Sequence, residues 1–244
     1  MKNIKAVYRY IDEESKEKFK HSRCLLTISV GQEVHEGEKL ESTIQLVSNT
    51  FESCIMLVDD TLQRHTMALN ITKSPEELFA YSLSEGDEWM ARNEKYYDQL
   101  KNLHKIMRWN DWLQHQNYET NQKMIINELG KNLGYKNTFD LSIKEFLNRY
   151  SARLENDTFF DYERGYQLCF DYLLEECTAM TLWPEIKCHY EVYPSRRNSG
   201  MDATHKLFVT NKHPDFLYPV AIKFKNRKQL RPQQFNMPEL DYTE

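Results

Sequence analysis

The sequence of 244 residues contains little glycine and little proline, seven of each. This scarcity excludes collagen-like and low-complexity architectures, and no shift in composition marks a linker. We therefore expect one domain over residues 1–244, with a core at about 20–225 and a mobile tail over 226–244. An apolar run of the ~18 residues that a membrane span needs is missing, as is an apolar segment after the first charges. These absences predict a cytoplasmic protein with no membrane partner.

The usual metal, nucleotide and hydrolase signatures are absent as well. The five cysteines have neither Cys-x-x-Cys nor Cys/His zinc spacing, and His-Glu-x-x-His does not occur. Phosphate-binding glycine loops and the Gly-x-Ser-x-Gly elbow are also missing. We predict no metal, no cofactor and no ATP use. The net charge of -5 disfavours a general DNA-binding surface, because non-specific binding depends on neutralising phosphates.

One apolar run does stand out, and it leads directly to a serine and a glycine turn. Residues 23–30 are almost continuously apolar or β-branched, and Gly31 follows Ser29 closely. Such runs are typical of parallel strands buried on both faces, whose carboxyl ends border ligand sites. A helix over Lys39–Ser48 and a second apolar run over Cys54–Val58 complete a β-α-β unit. The sequence therefore predicts an α/β fold with Ser29 at the ligand-binding edge of its sheet.

A late helix over about Phe159–Met180 carries the second group of interest. Tyr172 and Glu176 flank its apolar stripe one turn apart, whereas Glu175 is predicted to point away from the stripe. A carboxylate beside a buried apolar stripe is costly in free energy unless it forms an ion pair or a hydrogen bond, or takes part in the function of the protein. Glu176 is therefore either half of a structural salt bridge or a functional group.

A long basic helix is the third expectation. Ser74-Pro75 predicts a helix start, Gly86 a break, and Asp87 the beginning of a helix that extends past Met107. Its cations suit phosphate contacts, although a solvated face with charges of both signs would look the same. They are Arg92, Lys95, Lys101, Lys105 and Arg108. Further strands are predicted over Ile186–Tyr193, His205–Thr210 and Tyr218–Phe224.

Together these residues suit acyl transfer. A serine can attack an activated carbonyl, a buried glutamate can bind or deprotonate an amine, and a tyrosine can relay a proton. No histidine occupies a recognisable triad motif, and a serine without such a base is a poor nucleophile toward amides. The substrates expected from the residues alone are activated esters.

The chain resembles the tRNA-dependent cyclodipeptide synthases over roughly residues 20–210. The resemblance rests on four segments that occur in order, namely Ile28-Ser29-Val30-Gly31-Gln32, Phe51 to Asp60, Tyr172-Leu173-Leu174-Glu175-Glu176 and Tyr193-Pro194. Tyr-Pro, where the better-known subfamily has Tyr-His, resembles the other subfamily. The position of Gln32 varies within the family, and an alternative alignment would put Tyr190 in place of Tyr193.

The resemblance implies a single Rossmann-like domain with a mostly parallel sheet flanked by helices, similar to class I tyrosyl- and tryptophanyl-tRNA synthetase catalytic domains. It implies that Ser29 accepts the first aminoacyl group as an ester, that Tyr172 and Glu176 hold its amino group, and that Tyr193 assists ring closure.

The resemblance also implies a pocket for the first side chain and a contact surface for tRNA. The pocket is expected to be lined by Leu25, Thr27, Leu57 and Ala179, with Gln32 nearby. Thr27 replaces a family glycine, which predicts a small or medium first residue. The five cations named above are expected to bind the tRNA acceptor arm.

The leading interpretation is an aminoacyltransferase that makes a cyclic dipeptide from two aminoacyl-tRNAs, as a monomer and without cofactor. Two alternatives stay open from the residues alone. One is a non-catalytic tRNA-binding module of the same fold, and the other is a serine hydrolase of small esters.

Overall fold

The structure is a computed structural model that describes residues 4–9, 12–154, 160–194 and 196–226. Its elements in chain order are β1 (Ile4–Tyr8), α1 (Glu13–Phe19), β2 (Arg23–Ser29), α2 (Gly37–Ser48), β3 (Ser53–Asp59), α3 (Arg64–Met67), α4 (Pro75–Tyr97), β4 (Leu103–Arg108), α5 (Asn110–Leu113), α6 (Tyr118–Lys131), α7 (Leu133–Ser151), α8 (Tyr162–Met180), β5 (Tyr190–Tyr193), α9 (Ser199–Thr204) and β6 (Tyr218–Asn226). Apart from Asn226, the predicted mobile tail lies outside the described residues.

The described strands form one sheet in the order β1-β6-β5-β2-β3-β4. The pairs β2/β3, β2/β5, β3/β4 and β5/β6 are parallel, and β1 runs antiparallel to β6 at one edge. From β2 the chain proceeds to β3 and β4 on one side, and β5 lies on its other side. The prediction of a single α/β domain with a mostly parallel, helix-flanked sheet is confirmed.

Strands β2 and β3 are buried on both faces because both flanks of the sheet carry helices. Leu25, Ile55 and Leu57 pack into a core that includes Leu173 and Cys177 of α8. The intervening residues Cys24, Leu26, Ile28, Met56 and Val58 pack into a second core on the opposite face. The alternation of side chains along a strand thus directs Thr27 and Ser29 toward the α8 face.

Two predicted helix boundaries in the first half are wrong. Helix α4 begins at Pro75 behind the Ser74 cap, as predicted, but it continues through Gly86 and ends at Tyr97. Gly86 marks a close approach: a Cβ there would lie 2.5 Å from the Arg108 guanidinium and 2.6 Å from Asp60 Cβ. Leu103–Arg108 is the strand β4, paired with β3. A short apolar segment is compatible with both the helical and the strand periodicity. This segment forms a strand because it pairs with the otherwise open edge of β3.

Two further predictions in the last third need correction. His205–Thr210 is helical and continues from α9, so the predicted strand there is wrong. Strand β5 begins only at Tyr190, because Trp183–Ile186 forms a helical turn and Lys187 adopts a left-handed φ of 54°. The five cysteines are buried and free. Among the described residues, the helices lack the length and apolar content needed to cross a membrane.

Candidate active site

Three central strands end in polar residues that meet at one edge of the sheet. Ser29, Asp59 and Tyr193 are the last residues of β2, β3 and β5 respectively. The Ser29 Oγ lies 3.1 Å from the Tyr193 hydroxyl and 3.4 Å from Asp59 Oδ2. Burial, together with the nearby Glu176 carboxyl, raises the pKa of Asp59 well above its usual range. Asp59 therefore holds its proton far more readily than a solvated aspartate does.

The turn after Ser29 fixes the serine backbone. Gly31 adopts φ 83°, a conformation that side-chain-bearing residues rarely tolerate. The Ser29 N–H donates to His35 Nδ1 over 2.9 Å, and His35 is fully buried. Burial lowers the pKa of His35 to about 4, so its ring is neutral and Nδ1 can accept this bond. His35 thus positions the main chain of the serine and makes no hydrogen bond with its Oγ.

Helix α8 brings Tyr172 and Glu176 to the same place. Burial raises the pKa of Tyr172, and the neighbouring carboxyls of Glu176 and Asp59 raise it further. Burial also raises the pKa of Glu176 to about 8, with Glu191 adding to the shift and Arg197 opposing it. The Glu176 Oε2 is buried and meets no hydrogen-bond partner within the described chain. The four predicted catalytic side chains therefore lie around one point.

Glu175 lies in the opposite environment, with its own set of charged and polar partners. The residue is only 6% exposed, because α8 is buried on both flanks. Its carboxylate accepts from Arg64 Nη1 over 2.8 Å and from Trp109 Nε1 over 2.8 Å, and it contacts His65. Although burial alone pushes its pKa upward, the bonds to His65 and Arg64 outweigh burial and lower it.

A cavity of about 310 Å³ adjoins these residues. Its lining includes Thr27 and Gln32, as well as Asp59, Tyr172, Glu176 and Tyr193. The other predicted pocket residues, Leu25, Leu57 and Ala179, are fully buried in the core behind the cavity and do not line it. Thr27 and Gln32 are thus the predicted pocket residues that a ligand in this cavity can meet.

Sequence reasoning missed part of the cavity wall. Glu191 and Arg197 form a buried ion pair there, with Arg197 Nε 2.7 Å from Glu191 Oε2. Glu191 could have been flagged as a charged residue within an apolar strand. Arg197 lies in a polar loop segment and gave no comparable signal.

The late-strand tyrosine at the site is Tyr193. Tyr190 lies three residues earlier, and its ring packs against Phe19 with centroids 4.6 Å apart. Tyr193 ends β5 beside Ser29, and Pro194 follows it as a buried residue. The geometry supports the register that aligns Tyr193 with the serine.

The expected basic helix face does not form. Arg92 and Lys95 lie on α4, where acidic side chains outnumber basic ones, and Arg92 pairs with Glu36. Lys101 is in the following turn and Lys105 is exposed on β4. Arg108 ends β4 and pairs with Asp60 and Asp87. These cations belong to three different segments because the helix ends before Lys101.

The described part of the chain contains no group of three His, Cys, Asp or Glu side chains arranged to hold a metal ion. The chemistry available at Ser29 is that of hydroxyl, phenol and carboxyl groups with raised pKa values. Such groups can exchange protons with an attacking alcohol or amine in a site shielded from water. The arrangement suits acyl transfer between an ester and an amine.

No protein-family model matches the chain, and no curated protein matches it in sequence. Solved structures do match it. A cyclodipeptide synthase from Fluoribacter dumoffii is 42% identical with a TM-score of 0.87, and the match covers 91% of this chain and 99% of that one.

More distant structures share the fold. A cyclodipeptide synthase from Candidatus Glomeribacter gigasporarum, solved bound to Phe-tRNA, has a TM-score of 0.70 at 17% identity, covering 92% of this chain and 96% of its own. One from Mycobacterium tuberculosis, whose structure relates these enzymes to type I tRNA synthetases, has a TM-score of 0.62 at 9% identity, covering 92% and 94%. Identity of 42% over nearly the whole length, together with the geometry at Ser29, shows that the chain belongs to the cyclodipeptide synthases.

Proposed function

We propose a division of labour among the site residues of this enzyme, which forms a cyclic dipeptide from two aminoacyl-tRNAs. Ser29 is the covalent acceptor, Tyr172 and Glu176 hold the amino group of the bound aminoacyl moiety, and Tyr193 and Asp59 move protons at the serine. The observation that carries this proposal is the position of Ser29 Oγ, 3.1 Å from one proton-exchanging group and 3.4 Å from another.

In the first step, Ser29 Oγ attacks the ester carbonyl of an aminoacyl-tRNA. A serine ester forms, and the bond between the carbonyl carbon and the terminal ribose oxygen of the tRNA breaks. The serine proton passes to Tyr193 or Asp59, and the departing ribose oxygen takes up a proton. An aminoacyl ester is already activated, so the absence of a histidine on Oγ is chemically acceptable.

Glu176 suits the amino group because their proton affinities match. The pKa of Glu176 is about 8, and a free α-amino group has a pKa of roughly 7.7–8.0. A carboxyl with a pKa raised this far can both carry a proton and give one up near neutral pH. Glu176 can therefore bind the amine as an ammonium and also release it as the neutral nucleophile that the next step requires.

In the second step, the amine of the serine-bound aminoacyl group attacks the ester of the second aminoacyl-tRNA. The new peptide bond yields a dipeptidyl ester on Ser29 and frees the second tRNA. The terminal amine of that dipeptide then attacks the serine ester carbonyl. The carbon–oxygen bond to Ser29 breaks, the ring closes, and Oγ regains its proton from Tyr193 or Asp59.

Contacts with tRNA phosphates are assigned to exposed cations. Arg92, Lys95, Lys101 and Lys105 remain candidates, each expected to contribute modestly and in a salt-dependent manner. Arg92 and Arg108 are weaker candidates, because Arg92 is already paired with Glu36 and Arg108 with Asp60 and Asp87. Leu25, Leu57 and Ala179 are proposed to support the pocket from behind.

We also propose membership of the Tyr-Pro subfamily, a cytoplasmic location and a monomeric state. Tyr193-Pro194 directly at the site supports the first of these. Five free buried cysteines suit a reducing compartment.

Trapping of the acyl intermediate tests the catalytic proposal. Brief incubation with labelled aminoacyl-tRNA is expected to give an ester on Ser29, detected by intact and peptide mass spectrometry, and later a cyclic dipeptide. Ser29→Ala should abolish both signals and keep the melting temperature. Cyclic product from the Ser29→Ala enzyme would overturn the role of Ser29. Binding without product would favour a tRNA-binding module, and release of free amino acid alone would favour a hydrolase.

A further inference from the structure

Several residues that line the cavity contain buried polar atoms with no hydrogen-bond partner among residues 4–9, 12–154, 160–194 and 196–226. They are Thr27 Oγ1, Asp59 Oδ1, Gln63 Nε2, Glu176 Oε2, Trp183 Nε1 and Arg197 Nη1. Buried polar groups in native proteins are nearly always hydrogen-bonded, and each exception calls for an explanation. Their concentration in one cavity wall indicates that a bound molecule supplies the missing partners.

Two of these atoms restrict what that molecule can be. The indole N–H of Trp183 and the guanidinium of Arg197 can only donate hydrogen bonds. Trp183 is 1% exposed and the Arg197 side chain 4%, so bulk water does not reach them freely. The ligand must therefore present acceptor atoms to this part of the cavity. Thr27 can donate or accept and adds a third possible contact.

The strand register separates these donors from the reacting carbonyl. Thr27 lies two residues before Ser29 on the same face of β2. Arg197 is bound to Glu191, which pairs across the sheet with Leu25, four residues before Ser29. Arg197 therefore lies on the amino-terminal side of Ser29 along β2, away from the reacting carbonyl. The aminoacyl side chain, rather than the ester carbonyl, is the part of the ligand that extends toward these donors.

We infer that the aminoacyl group accepted by Ser29 carries a carboxylate or a carboxamide in its side chain, bound by the cavity donors Trp183 and Arg197. The inference rests on the proposed function, because it takes the Ser29 ester as the anchor of the ligand. A long side chain of this class, that of glutamate or glutamine, reaches furthest toward Arg197. An apolar side chain of equal length would leave both donors unsatisfied. A lysine ammonium offers only donors, so it would leave both N–H groups unsatisfied as well.

The test measures acylation of the full-length enzyme by aminoacyl-tRNAs charged with single amino acids. Glutamate and glutamine are compared with methionine and leucine, which have similar size but no comparable acceptor. The readout is the initial rate of ester formation on Ser29 by quenched-flow mass spectrometry. We expect glutamate or glutamine to be accepted at least about tenfold faster than methionine or leucine, as one lost hydrogen bond to a buried donor predicts.

A matched pair of tryptophan variants isolates the donor. Trp183→Phe removes the N–H and keeps an aromatic ring, and it should reduce the preference for the acceptor side chain about tenfold. Trp112→Phe is the control, because its indole nitrogen is also buried without a described partner but the residue does not line the cavity. The control should keep the wild-type preference. A wild-type preference for methionine or leucine would overturn the inference even if neither variant folds.

The outcomes also distinguish this inference from the proposed function. Acylation of Ser29 by apolar aminoacyl groups only would overturn the assigned side-chain class and leave the covalent mechanism intact. Absence of acylation with every aminoacyl-tRNA would overturn both. Equal loss of preference in Trp183→Phe and Trp112→Phe would refute the role of the Trp183 N–H.

Discussion

Two pairs of adjacent acidic residues, Asp59-Asp60 and Glu175-Glu176, divide their tasks in the same way. In each pair one carboxyl lies beside Ser29, where burial raises its pKa, and this is true of Asp59 and Glu176. The other carboxyl turns away and pairs with a partly buried arginine. Asp60 meets Arg108, and Glu175 meets Arg64.

The difference teaches how one buried region can be both stable and reactive. The paired carboxyls connect segments that are distant in sequence, since Glu175 and Arg64 are 111 residues apart. The carboxyls at the cavity keep their proton-exchange capacity because burial raises their pKa values more than Arg197 lowers that of Glu176 or Ser29 lowers that of Asp59. The ion pairs of Asp60 and Glu175 thus stabilise the fold, while Asp59 and Glu176 are available for proton transfer.

The largest expected effect comes from Glu176→Gln. The amide keeps the size of the protonated carboxyl but cannot exchange a proton with the substrate amine. Cyclic dipeptide formation should fall by about 100-fold or more, whereas the melting temperature at pH 7 should rise, because the neutral amide avoids the cost of keeping a buried carboxyl protonated at that pH. Near-normal turnover would show that the unpaired carboxyl has no catalytic task. The measurement is steady-state product formation by mass spectrometry.

Glu175→Ala should act on stability. It leaves the Arg64 guanidinium, which is 19% exposed, without its carboxylate, and the cost should lie below the ~3–5 kcal/mol typical of a fully buried pair because water reaches part of the arginine. Chemical denaturation measures the loss, and activity per folded molecule should stay within about twofold. The Arg64→Ala/Glu175→Ala double variant should lose less than the sum of the single losses. Strict additivity would contradict the assigned pairing.

The two glutamates should also give opposite responses to pH. The pKa of Glu176 is raised in the folded state, so its contribution to stability is fully present below pH 4.5 and is lost as the pH rises through about 8. The slope in this window is at most about 1.4 kcal/mol per pH unit. Glu175, whose pKa is lowered, contributes stability above pH 4.5 that is lost on acidification. Denaturation series should show a flatter alkaline side for Glu176→Gln, and an unchanged slope would disprove the shift.

The smallest effect is expected from an unpaired cation far from the cavity. Lys105→Glu on exposed β4 should lower kcat/KM for aminoacyl-tRNA a few-fold at low salt, and the difference should vanish at high salt. Lys212→Glu, another exposed reversal, serves as the control. Equal effects of the two variants would show that Lys105 acts only through the net charge of the protein and not through a contact with tRNA.

The strands and helix that carry the chemistry could be predicted from local patterns. The continuous apolar runs of β2 and β3 and the apolar stripe of α8 depend on burial alone, and burial is visible in a sequence. The family resemblance then assigned roles to Ser29, Tyr172, Glu176 and Tyr193. In the structure Tyr172, Glu176 and Tyr193 line one cavity, and Ser29 adjoins it through its contact with Tyr193.

The partners of the charged residues could not be predicted. The residues around Glu175 in the sequence give no indication that Arg64 is its partner. The helical-wheel prediction treated α8 as buried on one face only, whereas Leu174, Glu175 and Thr178, which lie outside that face, are buried as well. The sequence of the β4 segment is compatible with both a helix and a strand. Its pairing with β3, a tertiary interaction, determines that it forms a strand. Arg197 is tied to the cavity by its contact with Glu191, a tertiary interaction without a local signal.

The 3.1 Å contact between Ser29 and Tyr193 joins residues that are 164 positions apart in the chain. At usual rates of translation, the strand with Ser29 leaves the ribosome roughly ten to thirty seconds before β5 does. During that interval the growing chain is surrounded by the aminoacyl-tRNAs on which the finished enzyme acts. Because the serine lacks the β5 tyrosine until then, the nascent polypeptide has no assembled centre with which to consume the substrates of its own synthesis.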